Sequence, residues 1–161
     1  LLLEALVRLR ARNLFPRLTL VGPGPERSAM EQLATRLGLA DQVTFLGPKR
    51  DAELANLLVQ HKILVIPSRY DEPFGVVALE GIACGCVTVG SAGGGLPDAI
   101  GPCGLTFPNG DIDALALALE KLLRAPEERR RLTAPASEHL AKFQPAVVAE
   151  TYLGLFRSQL R

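Results

Sequence analysis

Five short apolar runs punctuate this chain, each followed directly by glycine or proline, and the segments between them repeat apolar residues at helical spacing. The runs are Leu18–Val21, Val43–Leu46, Ile63–Ile66, Val87–Val89 and the weaker Leu105–Phe107, rich in Val, Ile, Leu, Thr and Phe. Continuous apolar stretches of this length read as strands covered on both faces. Residues 1–11, 26–37, 52–60, 76–84 and 112–123 carry the helical pattern. Alternation of the two predicts βαβ units: an α/β fold with a parallel sheet, helices on both faces and right-handed crossovers.

The alternation occupies residues 1–110, and residues 111–161 read as helices only. Asp111 suits an N-cap, and Pro126-Glu127-Glu128 suits the first turn of a following helix. Pro135 and Pro145 interrupt what comes next. Val147, Val148, Tyr152, Leu155 and Phe156 give the segment Ala146–Leu160 an apolar face that is expected to pack on something. At 161 residues, one domain buries about 70% of the surface its unfolded chain exposes, enough for a core without disulfide or metal staples. Cys84, Cys86 and Cys103 cannot all pair with one another and lack metal-ligand spacing, so they read as reduced, buried thiols of a cytoplasmic protein. With 18 Lys and Arg against 17 Asp and Glu, no cationic excess marks a nucleic-acid partner. No apolar run approaches the roughly 20 residues of a membrane span.

An open parallel sheet binds ligands beyond the carboxyl ends of its strands, which directs attention to residues 22–25, 47–51, 67–75 and 90–96. Gly22-Pro23-Gly24-Pro25 stands at a strand-to-helix turn where backbone amides could meet a phosphate. Its prolines remove two donors, and Arg27 stands where G-x-G-x-x-G needs its third glycine. The segment from Pro67 to Gly81 is richer. Glu72 precedes a helix that begins near Gly75 and Glu80 lies more than a turn inside it, so both carboxylates can face the crevice. An ionised carboxylate accepts from two vicinal sugar hydroxyls at once. Glu80 is flanked by Val76, Val77, Leu79, Ile82 and Ala83, a setting in which a carboxylate needs such a partner. Taken singly, Glu80 also reads as an acid complementing a helix dipole and Glu72 as an exposed loop acid. Between them, Phe74-Gly75 adds a glycine that permits close backbone approach and a helix end with free amides, and the ligand reading gains.

Pro67-Ser68, Glu72-Pro73-Phe74-Gly75, Glu80-Gly81-Ile82-Ala83-Cys84-Gly85-Cys86-Val87 and Gly94-Gly95-Leu96-Pro97-Asp98 together resemble the C-terminal, donor-binding domain of retaining GT-B glycosyltransferases. The subgroup is that of glycogen and sucrose synthases and bacterial mannosyl- and glucosyltransferases, the glycosyl transferases group 1. Glu72 and Glu80 match its pair of glutamates separated by seven residues. Leu20 to Pro25, Val43 to Gly47, Gly104 to Phe107 and Val148 to Tyr152 extend the likeness over nearly the whole chain.

The resemblance implies that residues 1–161 form one donor-binding domain with a Rossmann-like sheet. It would hold a UDP-, GDP- or ADP-sugar without metal or other cofactor, in a parent enzyme that transfers the hexose with retention of configuration. Glu72, the catalytic position, would contact hydroxyls of the hexose together with the amides of Phe74 and Gly75. Glu80 would hold the ribose, Val76 and Val77 would border the diphosphate, Lys49 and Arg50 would approach the base, and Gly22 would line the nucleotide site. The implied partner is an N-terminal acceptor-binding domain of the same parent, through which alone any membrane contact would run. Asp98 stands where the family more often has Glu. His61 and His139 match no catalytic position and are expected in surface or helix-end packing roles. The family's first strand, with its Arg-and-Lys loop, would precede Leu1, so its slot in the order 3-2-1-4-5-6 is expected to hold a gap, a rearranged pairing or a partner segment. Two other readings share the architecture: a nucleotide-binding module without catalysis, which would want a G-x-G-x-x-G turn, and a nucleotide-sugar 2-epimerase-like protein, against which the Glu72-to-Glu80 spacing speaks.

Overall fold

The computed structural model describes residues 1–159. In chain order it contains α1 (Leu2–Arg10), β1 (Leu18–Val21), α2 (Arg27–Arg36), β2 (Val43–Leu46), α3 (Asp51–Leu58), β3 (Ile63–Ile66), α4 (Val76–Ala83), β4 (Val87–Ser91) and α5 (Leu96–Ile100). A 3-10 turn, Gly101–Cys103, leads into β5 (Gly104–Phe107), and four helices follow: α6 (Ile112–Arg124), α7 (Pro126–Thr133), α8 (Ala136–Ala141) and α9 (Pro145–Gln159). All five expected strands are present. β4 runs two residues beyond the apolar run because Gly90 and Ser91 continue its pairing with β5, and α5 is an element that five residues are too few to announce by periodicity.

Every pairing is parallel, but the strands form two sheets, β1-β2 and β3-β4-β5. Of the three outcomes expected for the slot between β1 and β3, a rearranged pairing is not found among the described residues, since β1 and β3 belong to different sheets. The two sheets are joined by side chains. On one face Val87 and Val89 of β4 pack with Leu3, Leu6 and Leu9 of α1 and Leu115, Leu119 and Leu122 of α6, and Val43 of β2 and Leu39 share that cluster. Burying each such side chain contributes about 1.5–3 kcal/mol before entropy is counted. The opposite face of the three-stranded sheet packs Ile66 against Ala78 of α4 and Leu96, Ala99 and Ile100 of α5. With both faces covered, β4 is buried at all five positions, the polar Thr88 and Ser91 together with the apolar Val87 and Val89.

Asp111 caps α6 as expected, its carboxylate accepting from Ala114 N at 2.8 Å. Pro135 and Pro145 do not simply interrupt: Pro135 is the N-cap of α8 and Pro145 opens α9. The apolar face expected to pack on something finds no cover, since every residue of α9 is exposed, including Tyr152 and Phe156. Leu160, the end of that expected segment, lies outside the described residues. No helix among the described residues is long and apolar enough to cross a membrane.

Candidate functional site

Parallel registry brings the carboxyl ends of the strands to one edge, with Val21 beside Leu46, Ile66 beside Gly90 and Ser91 beside Phe107. The loops after them carry the candidate residues. After β3, Ser68 donates its hydroxyl to Glu72 Oε1 at 2.6 Å. The same carboxylate, by hydrogen bonding first and charge second, raises the pKa of the exposed Tyr70 phenol above its ordinary value. Glu72 is thus half-buried and oriented by its own loop, where sequence alone allowed a free loop acid.

The loop after β4 grips this one by backbone contact. Gly95 N–H donates to Glu72 O at 2.7 Å. Gly94 has φ +60°, and a Cβ on it would stand 2.7 Å from Glu72 N, nearer still to Glu72 O. Gly75, φ +97°, caps α4, and a Cβ there would meet Leu96 Cδ1 at 2.6 Å. Glycine is therefore required where the two loops meet: left-handed backbone and absent side chains together permit the approach.

No side chain caps α4, so the amides of its first turn, at Val76 and Val77, stay open to a ligand at the positive end of the helix dipole. Val76 and Val77 are exposed although apolar. Glu80 shares their face, being four and three residues further on, and it is exposed as well. The apolar setting expected around Glu80 is corrected here: Ala78, Gly81 and Ile82 turn inward, leaving the carboxylate toward solvent.

The remaining candidates stand on the β1-β2 sheet. Gly22 follows β1 with φ +129° and open space where a Cβ would be. After β2, Lys49 pairs with Glu53 at 3.4 Å, while Arg50 is exposed and enters no ion pair among the described residues. Asp51 beside them adopts φ +49°, uncommon for a residue with a side chain. Arg27 is committed to Glu31 at 2.8 Å and to Phe45 O at 3.1 Å. Asp111-Ile112-Asp113 spells a D-x-D triplet, but Asp111 caps α6 and Asp113 pairs with Arg8 at 2.9 Å. Of the cysteines, Cys86 and Cys103 are buried and Cys84 is half-buried. Burial pushes the Cys86 thiol up to about 11, which makes it inert at neutral pH.

The role of Ser68 in holding Glu72 carries no sequence signal of its own, and for His139 a surface or helix-end packing role is expected. His139 takes the helix-end packing role, buried in the last turn of α8 beside Gly101, and His61, just past the end of α3, is half-buried with its Nε2 3.0 Å from Thr19 Oγ1. No local periodicity signals contacts between residues 40 apart.

An α/β half with parallel strands, helices on both faces and its candidate carboxylates at the strand ends defines the C-terminal half of a GT-B fold. The chain belongs to the family described as glycosyl transferases group 1, whose model matches residues 1–139. It is similar to the D-inositol 3-phosphate glycosyltransferase of Stackebrandtia nassauensis, 41% identical over 96% of this chain and 37% of that protein. Among solved structures it resembles sucrose-phosphate synthase from Thermosynechococcus elongatus, at 34% identity and TM-score 0.79 over 98% of this chain and 42% of that one. Anabaena Alr3699/HepE in complex with UDP shares the fold, with TM-score 0.83 at 23% identity over 98% of this chain and 44% of that one. The chain thus spans about two-fifths of the length of these relatives.

Proposed function

We propose that residues 1–161 are the donor-binding domain of a metal-independent, retaining hexosyltransferase that works in the cytoplasm with an N-terminal acceptor-binding domain of the same protein. One observation carries the reading: a carboxylate fixed by Ser68 in a glycine-braced loop, directly ahead of an uncapped helix end whose exposed face carries a second carboxylate one turn in. In this reading Glu72 contacts the hexose with the amides of Phe74 and Gly75, and Glu80 binds the ribose hydroxyls. The α4 amides at Val76 and Val77 meet the diphosphate, Gly22 lines the nucleotide, and Lys49 and Arg50 approach the base. A UDP-, GDP- or ADP-sugar is the only small molecule required, with no cofactor. As the C1–O bond to the diphosphate breaks, the negative charge on the leaving oxygen is met by the amides at the start of α4. The acceptor hydroxyl bonds to C1 from the same face and its proton passes to the departing diphosphate.

UDP is the first nucleotide to test, since the Anabaena relative holds it. Calorimetric titration with UDP, GDP and ADP is expected to give binding by at least one, and failure of all three refutes the donor site. Glu80→Ala removes charge-assisted hydrogen bonds worth about 1.5–3 kcal/mol, so nucleotide affinity should fall about 10- to 100-fold. Glu72→Ala should leave free-nucleotide affinity unchanged and abolish hexose transfer. Equal losses of nucleotide binding in the two variants contradict these roles.

A further inference from the structure

Beside the Glu72–Gly75 loop lies a buried histidine that none of the proposed donor contacts uses. His139, on α8, is 5% exposed, and its Nε2 lies 2.8 Å from Ala99 O. A carbonyl only accepts, so Nε2 carries a proton and donates it. The ring fits because Gly101, at φ +50°, has no side chain: a Cβ there would stand 2.8 Å from Nδ1 and 2.9 Å from Nε2. Phe143 meets the imidazole edge-on, with centroids 5.1 Å apart at 75°, and meets Phe74 at 5.3 Å and 58°. Both separations are in the favourable range for aromatic pairs.

Two connections therefore run from this corner to the donor loop. In the first, His139 holds Ala99 near the end of α5, and Gly95, immediately before α5, donates to Glu72 O at 2.7 Å. In the second, Phe143 packs on Phe74, two residues past Glu72. The loop is thus tied through its backbone at Glu72 and through its side chain at Phe74. A loop restrained at two points loses less freedom when a sugar binds, and its carboxylate stays within the narrow tolerance that catalysis requires.

We propose that His139 and Phe143 are positioning residues for the donor hexose, holding Glu72 and the Phe74-Gly75 backbone without touching substrate. This rests on the donor-site reading above. Glu80 lies on the exposed face of α4, whereas His139 is buried and Phe74 half-buried, so hexose transfer and nucleotide affinity should respond separately.

The test uses the full-length protein, with Phe143→Leu, His139→Leu and His139→Gln measured for kcat, donor KM, Kd for UDP and Tm. Glutamine keeps an N–H for Ala99 O. Phe143→Leu and His139→Leu are expected to lower kcat about 10- to 100-fold with Kd for UDP unchanged within about twofold, and His139→Gln to restore most of kcat. If Phe143→Leu does not fold, Phe143→Met carries the same comparison. Parallel losses of kcat, nucleotide affinity and Tm overturn the proposal in favour of bulk packing, and so does wild-type kcat in a folded variant. A wild-type protein that binds no nucleotide removes the donor site, and this proposal with it. A wild type that binds and transfers while the variants are silent removes only the positioning role.

Discussion

Gly94→Ala is the sharpest probe of the contact between the two loops. Alanine in the left-handed backbone at φ +60° costs about 1 kcal/mol. Its Cβ would lie 2.7 Å from Glu72 N and 2.9 Å from Asp71 C, against 3.4 Å for ordinary contact. Both obstacles are backbone, so the loop at 71–74 must retreat by about 1 Å or remain overpacked at about 1–3 kcal/mol. The sum is about 2–4 kcal/mol, and at about 2–4 °C per kcal/mol for a chain of this size the melting temperature should fall by about 5–15 °C. Retreat also parts Gly95 N–H from Glu72 O, and a catalytic group displaced by about 1 Å loses up to about 100-fold in rate. Gly110→Ala is the internal control. Gly110 has φ +81° but nothing within 4 Å of a Cβ, so only backbone strain of about 1 kcal/mol applies and transfer stays unchanged. Scanning calorimetry and initial-rate hexose transfer on both variants make the comparison. The reasoning is refuted if Gly94→Ala melts no lower than Gly110→Ala, or if it transfers at the wild-type rate.

Ser68→Ala removes the 2.6 Å hydrogen bond to Glu72 Oε1 and should lower kcat about tenfold, the equivalent of about 1.4 kcal/mol of lost orientation, with Tm nearly unchanged; unaltered kcat would show that Ser68 does not orient the carboxylate. The Cys86 thiol, held up to about 11 by burial, keeps in the folded state a proton that the unfolded chain releases near pH 8.5–9. Its contribution is complete below about pH 8.5 and is lost as pH rises toward 11. Tm measured at pH 7, 9 and 10.5 should decline more steeply in the wild type than in Cys86→Ala, and identical slopes would contradict this assignment.

The strands were legible because a sheet covered on both faces favours apolar side chains on both of them: Leu64 and Val65 of β3, pointing opposite ways, are both half-buried in different clusters. Helix α5 was hidden by its length and by Pro97 in its first turn. The placement of Glu72 ahead of α4 and of Glu80 inside it was legible from their spacing around Gly75. The exposure of Glu80 departs from the apolar setting expected for it because flanking residues in sequence are not neighbours on a helix, where the apolar Ala78 and Ile82 point away from it. The brace at His139 and Phe143 depends on contacts across tens of residues, which neither spacing nor composition encodes. α9 carries apolar residues that local pattern reads as a buried face, yet their cover is not supplied by any described element.

The division of the strands into two separate ladders has a mechanical consequence for the proposed site. Gly22, Lys49 and Arg50 ride on one ladder, whereas Glu72, Val76 and Glu80 ride on the other, and no backbone hydrogen bond passes between the two ladders among the described residues. A nucleotide sugar gripped at its base by the first group and at its ribose and hexose by the second would act as a clasp across the seam. Ligand at 100 times its Kd adds about 2.7 kcal/mol to the folded state, and here that increment would be spent on keeping two plates in register.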